Sequence, residues 1–178
     1  ALLEQRIDGL FFTGSYATGA KIARVIGPRL IKLQLELGGK DPTYVRADAN
    51  VKNAAESLAD GAMYNTGQSC CSVERIYVHE AIHDEFVRHF VDAVKGFKVG
   101  DPMSEDTYFG AITRSPQLDV LDGQVFDARG KGATLLLGGH RLPGPGNWYA
   151  PTVFSNVNHS MDLMREESFG PIIGIQKV

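Results

Sequence analysis

Only two cysteines occur in this chain of 178 residues, and they are neighbours, Cys70 and Cys71. Adjacent cysteines cannot staple distant segments, which excludes a disulfide scaffold. The count suits a reducing compartment, the cytoplasm or one such as the mitochondrial matrix. No apolar run approaches the ~20 residues that span a bilayer, and no basic-then-apolar stretch opens the sequence, so no membrane partner is expected. Charge of one sign is lacking too. With 18 Lys and Arg against 21 Asp and Glu the net charge is −3, which gives no electrostatic reason to expect nucleic acid. Internal repeats and low-complexity tracts are absent. A hydrophobic share of 43% with 22% charged residues is that of a soluble globular protein, and the length accommodates one domain, or one and a fraction, with a sizeable core. The chain opens on Ala1 and stops at Val178 inside a predicted strand, Ile172 to Val178, so a fragment of a longer protein is expected.

The stretch that carries chemistry is Tyr64-Asn65-Thr66-Gly67-Gln68-Ser69-Cys70-Cys71. It sets a cysteine pair behind a Gly-Gln turn, between a helical pattern and a β-branched run. Cysteine is the best resting nucleophile among side chains, because a usable fraction is thiolate near neutral pH. In a polar turn beside backbone N–H groups its pKa is expected to fall further. A buried pair acting as small hydrophobes is the alternative that residue type alone favours.

Two further stretches accompany it, Leu35-Glu36-Leu37-Gly38-Gly39-Lys40 upstream and Glu166-Glu167-Ser168-Phe169-Gly170-Pro171 near the end. In these three places the sequence resembles the aldehyde dehydrogenase superfamily, which carries Glu-Leu-Gly-Gly-Lys, Gly-Gln-x-Cys and Glu-x-Phe-Gly-Pro in this order. The separations of 34 residues from Glu36 to Cys70 (70 − 36) and 97 from Cys70 to Glu167 (167 − 70) are those of the family. The resemblance covers essentially the whole chain, and the chain looks like the middle of the family's sequence. It implies an α/β fold: the catalytic domain of the aldehyde dehydrogenase fold at 38–178, C-terminally incomplete, preceded at 1–37 by a remnant of the Rossmann-like dinucleotide-binding domain.

In chain order, Gly9 to Ser15 reads as a short strand running into a glycine turn, and Ala17 to Pro28 as a helix with Ile22, Val25 and Ile26 on its apolar face. A strand–Gly/Ser–helix passage suits a phosphate, although a tight turn explains the glycines as well. By resemblance Ser15 contacts the cofactor's pyrophosphate. Leu33 to Leu37 alternates as a strand broken by Gly38-Gly39. Glu36 there is a plausible base, and an ordinary strand-end glutamate in solvent accounts for it equally well from the residues alone. The resemblance makes Glu36 the base and Leu37 a cofactor contact. Pro42 to Val45 is a predicted strand, Asn53 to Met63 a packed helix, and Val73 to Val78 a strand, so the cysteine turn lies between rigid supports. Ser115 is expected to cap a helix from Pro116 to about Gly130. Gln117 falls where the family has a glutamine on the cofactor ribose, but Val120 stands where a lysine often accompanies it. Ala133 to Leu137 and Tyr149 to Phe154 are predicted strands. By resemblance Glu167 holds the nicotinamide ribose and Phe169 packs near the nicotinamide; Phe169-Gly170-Pro171 is otherwise an apolar anchor before the last strand.

His79-Glu80-Ala81-Ile82-His83 matches the H-E-x-x-H zinc-protease pattern letter for letter. That chemistry needs both imidazoles on one face of an established helix, with a third ligand. Here His79 ends a strand pattern and the helix is expected from Ala81 to Phe97, so no metal site is expected.

The resemblance implies oxidation of a small-molecule aldehyde to a carboxylic acid with NAD or NADP. Cys70 would form a thiohemiacetal and then a thioester, and Glu36 would activate the water that hydrolyses it. Cys71 is read as a bystander. A homo-oligomer is expected of the full-length protein. Two rival readings remain: a cofactor-independent thiol esterase using the same Cys70 and Glu36, and an inactive truncated domain.

Overall fold

The computed structural model describes residues 2–178, which divide into two compact units between Gly39 and Lys40. The division lies two residues beyond the boundary expected after Leu37. Gly38-Gly39 follow the strand that closes the first unit.

The first unit is a βαβ passage. Strand β1 (Gly9–Thr13) pairs in parallel with β2 (Lys32–Glu36), and helix α1 (Tyr16–Ile26) makes the crossover, continued by a 3-10 turn at Gly27–Arg29. Leu30 turns the chain back with φ 53°. Within this helix only Gly19 and Ile26 are buried, and Leu37 explains the glycine: a Cβ on Gly19 would stand 2.7 Å from the Leu37 side chain.

The second unit holds a five-stranded sheet in the order β3 (Asp41–Val45), β4 (Val73–Val78), β7 (Ile172–Lys177), β6 (Thr152–Ser155), β5 (Thr134–Leu137). All neighbours are parallel except β5 and β6. Strand alternation feeds two cores, one on each face. Ile76 and Val78 of β4, Val153 of β6 and Ile173 and Ile175 of β7 pack with Ala55, Ala59 and Met63 of α2 (Val51–Met63) and Phe86, Phe90 and Val94 of α3 (His83–Lys95). Phe154 and Ile172 point the other way, onto Leu118, Leu121, Val125 and Ala128 of α4 (Ser115–Gly130). Helices on both faces of a mostly parallel sheet give the expected α/β architecture.

Three local expectations are corrected. The N-cap of α4 is Arg114, with no side-chain cap bond, and Ser115-Pro116 form the first helical positions. Proline there removes an N–H that had no intrahelical partner anyway. The helix expected from Ala81 begins instead as a 3-10 turn over Glu80–Ile82, and α3 starts at His83. Ile82, at φ −121° and ψ 0°, interrupts the helical run. The strand expected from Tyr149 starts at Thr152. Tyr149 makes only an isolated bridge to Arg141, and Pro151 has no N–H to continue a ladder.

Candidate active site

Between α2 and β4 the chain makes a tight turn through Tyr64–Gly67. Asn65, Thr66 and Gly67 are consecutively left-handed, with φ of 51°, 60° and 68°. Such a run is costly for residues with a Cβ, and side chains hold it. Thr66 Oγ1 accepts the Gly110 N–H at 3.2 Å and donates to the Gly110 carbonyl at 3.4 Å. Gln68 Oε1 accepts the Thr113 N–H at 2.9 Å, and Asn65 Nδ2 donates to the Gln68 carbonyl at 2.8 Å. Ser69 Oγ accepts from the Tyr64 hydroxyl at 2.6 Å and from the Cys71 N–H at 3.2 Å. This clamp ends in two exposed thiols, Cys70 and Cys71, with their sulfurs 3.7 Å apart.

Gly67 joins this turn to a second segment. A Cβ there would stand 2.2 Å from the Gly170 carbonyl oxygen, so the cysteine turn lies directly against Ser168-Phe169-Gly170. That segment is gripped by buried polar groups. Glu74 of β4 accepts the Ser168 N–H at 2.9 Å and the Phe169 N–H at 3.1 Å. Lys40 donates to the same carboxylate at 2.5 Å and to Ser168 Oγ at 3.0 Å. The Ser168 hydroxyl in turn donates to Gln124 Oε1 at 2.8 Å, and Gln124 Nε2 reaches the Glu166 and Glu167 carbonyls. Lys40 and Glu74 side chains are 8% and 5% exposed. Burial draws the Lys40 pKa below its ordinary value, against the opposing pull of Glu74. Removing either partner would leave a charge stranded in a poorly solvated place. Held in this way, Phe169 takes a left-handed φ of 45° and leaves its side chain 37% exposed.

Cys70, Glu167, Phe169 and Gln117 all lie in the second unit, where the Gly67–Gly170 approach brings the cysteine turn and the 167–169 segment together. Gln117, on α4, spends its amide on the Ser168 carbonyl at 2.6 Å, and Val120 is exposed. The other expected residues belong to the first unit. Ser15 is the N-cap of α1, its Oγ accepting the Thr18 N–H at 3.4 Å. Glu36 ends β2, exposed, and accepts from Gln34 Nε2 at 2.7 Å. Leu37 packs on Gly19. One chemical expectation is reversed in its net direction: the Cys70 pKa is raised, first by the hydrogen bond to the Cys71 thiol and then by that thiol's charge, while the backbone N–H pulls it down as expected.

In the H-E-x-x-H stretch, His79 Nδ1 accepts the Ala81 N–H at 3.2 Å, while His83 Nδ1 lies 2.7 Å from Asp84 Oδ1. Among the described residues no group of three or more His, Cys, Asp or Glu could hold a metal. No helix among them is long and apolar enough to cross a membrane. Sequence reading missed the roles of Lys40, Glu74, Ser168 and Gln124. Lys40 and Ser168 stand inside the motif stretches, and Glu74 left a signal of its own, an acid in register with Ile76 and Val78 on the buried face of an alternating strand.

Comparison with known proteins identifies the lineage of this arrangement. The profile of the Aldehyde dehydrogenase family matches residues 1–178. An aldehyde dehydrogenase of Alternaria alternata is 40% identical over 172 residues, covering 96% of this chain and 35% of the relative. A succinate semialdehyde dehydrogenase [NAD(P)+] of Escherichia coli K12 is 41% identical over 172 residues, covering 97% and 37%. Among solved structures, that of 3,6-anhydro-L-galactose dehydrogenase in complex with NAP superposes with a TM-score of 0.95 at 40% identity, over 99% of this chain and 38% of that one. The NAD-dependent aldehyde dehydrogenase of Sinorhizobium meliloti gives 0.94 at 36% identity, over 98% and 35%. The chain thus spans about a third of the length of the curated relatives it matches. With the family's fold over its whole length and the family's profile from first residue to last, it belongs to the aldehyde dehydrogenase family.

Proposed function

We propose that these residues serve the oxidation of an aldehyde to a carboxylic acid with NAD+ or NADP+, with Cys70 as nucleophile and Glu36 as general base. The observation that supports this best is the backbone approach of Gly67 to Gly170, which sets an exposed thiol beside the Glu167–Phe169 segment. The residues fit a dinucleotide in two respects. The turn after β1 delivers Ser15 and the free N–H groups of an 11-residue helix, a fixed dipole suited to a pyrophosphate. Phe169 presents an exposed ring on a backbone fixed by Glu74, and Glu167 stands two residues away to accept ribose hydroxyls.

In the reaction, the Cys70 thiolate attacks the carbonyl carbon and forms a tetrahedral thiohemiacetal. Its oxyanion calls for N–H donors, and the Cys70 backbone N–H is one. A nucleotide held by Ser15, Leu37, Gln117, Glu167 and Phe169 would supply the hydride acceptor, and Cys70 would then carry the acyl group as a thioester. Glu36 then takes a proton from water, the hydroxide adds to the thioester, and the acid departs as the thiolate is regenerated. Leu37 and Gln117 complete the set proposed to line the nucleotide.

The test is nicotinamide reduction by an aliphatic aldehyde, followed with an activated ester as second substrate, in a full-length chain containing these residues. C70A should abolish both reactions. E36Q should keep the first acylation turnover and slow its hydrolysis by about 10²–10⁴-fold. Reduction of the nucleotide that persists in C70A would overturn the assignment. Ester turnover without any nucleotide reduction would favour the thiol esterase instead.

A further inference from the structure

The chain contains a single tryptophan, Trp148, and the reaction above does not use it. It lines a cleft of about 420 Å³ in the second unit, together with residues 99–102, Leu142 and Pro143. None of these belongs to the cysteine turn or to the 167–169 segment. We infer that this cleft is a binding site for an arylalkyl ammonium ion, with the ammonium on the Asp101 carboxylate and the ring against Trp148.

Both segments that line the cleft are fixed by the protein's own bonds. The Leu142 N–H donates to the Trp148 carbonyl at 3.0 Å, and an Arg141–Tyr149 bridge extends the same hairpin. The indole Nε1–H donates to the Pro145 carbonyl at 2.8 Å. Gly146 makes room for the ring, since a Cβ there would stand 2.9 Å from Nε1. The indole thus spends its one polar atom inside its own loop, and what it offers the cleft is carbon and π-surface. In the other segment, the Gly100 N–H donates to the Phe109 carbonyl at 3.1 Å and Val99 bridges to Phe109. Asp101 Oδ1 accepts the Met103 N–H at 2.9 Å, which orients the carboxylate. Among the described residues no cation pairs with Asp101: Lys98 is bound to Asp106, and Arg141 to Asp119 and Asp122.

The lining selects the ligand. A carboxylate without a counter-ion calls for a cation, and an ammonium gives it a charge-assisted hydrogen bond. The same charge is attracted to the face of an indole within about 6 Å. Pro102, Leu142, Pro143 and Trp148 call for an apolar body, and an aromatic ring stacks on the indole. The volume lies within the range of about 300–1,000 Å³ usual for small-ligand clefts. An anion would be repelled by Asp101, and a neutral ring would leave that carboxylate to water alone.

As the only tryptophan, Trp148 reports occupancy through its own fluorescence. Titrating this chain with benzylamine, protonated at neutral pH, should change that emission saturably. Benzyl alcohol, nearly the same shape without the charge, should bind at least about fivefold more weakly, and added salt should weaken only the amine. D101N, whose side-chain oxygen still accepts the Met103 N–H, should lower the amine's affinity about fivefold, to that of the alcohol. W148L, followed by saturation-transfer NMR of the ligand, should weaken the amine by a similar factor. E105Q, in the same acidic loop but outside the cleft lining, should leave the affinity within about twofold. D101N and E105Q change exposed positions and should keep the wild-type circular dichroism spectrum, so the test stands even if W148L fails to fold. Equal affinity for amine and alcohol, or unaltered affinity in D101N, would overturn the inference. So would a loss in E105Q as large as in D101N, which would make the attraction a property of the loop's overall charge. None of these results depends on nucleotide reduction, so failure here is separate from failure of the dehydrogenase reading.

Discussion

Cys70 is exposed and yet its pKa is raised, with the Cys71 thiol as the leading cause. The sign follows first from the hydrogen bond, which holds the proton between the two sulfurs and favours the neutral Cys70 thiol, with like charge on the neighbouring sulfur adding to it. The alkylation rate of Cys70, measured by peptide mass spectrometry from pH 6 to 10, should therefore have its midpoint above the free-thiol value of about 8.5. In C71A that midpoint should move to lower pH. A profile that does not change, or moves upward, would show that Cys71 is not the cause. At Gly67 the constraint is steric. Alanine there would combine φ of +68° with a Cβ 2.2 Å from the Gly170 oxygen, and since that oxygen belongs to the backbone it does not yield cheaply. G67A should cost about 3 kcal/mol in urea unfolding, and Cys70 labelling should change with it. The adjacent cysteines and Gly67 were legible in a motif; the backbone approach of Gly67 to Gly170 was not, because it depends on three-dimensional proximity.

At the level of elements, β4 serves two purposes: Ile76 and Val78 anchor it in the core, while Glu74 on the same face reaches across to the backbone of the 168–169 segment. K40M should cost about 3–5 kcal/mol in urea unfolding, because it leaves the Glu74 carboxylate buried without its cation. The double variant K40M/E74Q should be less destabilised than the sum of the single changes, since it removes both charges at once. Additive losses in that cycle would mean that the pair is not coupled. Most elements could be read from the sequence within two or three residues, β4 at its observed bounds, because apolar alternation and helical spacing are local properties. The misplaced starts of β6 and α3 have local causes of another kind. Pro151 breaks a ladder before Thr152, and His79 caps a 3-10 turn where an unbroken helix was expected. The candidate site was legible through the three family motifs, but the Lys40–Glu74–Ser168–Gln124 chain of hydrogen bonds was not. Its members lie as much as 128 residues apart, and no local pattern links them.

For the molecule as a whole, the two units are unequal in what they bury. In residues 2–39 the parallel pair β1–β2 has no fully buried position, and its outward residues include Phe11 at 69% exposed. Parallel strands ordinarily have both faces covered, and a two-stranded sheet is marginal by itself in water. In residues 40–178, four consecutive β7 residues are buried, Ile172 through Ile175, and β4 buries alternate residues. Local opening free energy follows buried contact, so hydrogen exchange should separate the units. Amides of β1 and β2 in this chain should exchange on the order of a hundredfold faster than those of β4 and β7. The Phe169 amide, bonded to Glu74 at 3.1 Å, should belong to the slow class although its side chain is exposed, and E74A should move it to the fast class while Ile173 and Ile175 stay slow. Equal protection in the two units would mean that burial within the first unit underestimates its stability. A Phe169 amide that exchanges quickly in the unaltered chain would remove Glu74 from its place as the anchor of the segment beside the nucleophile.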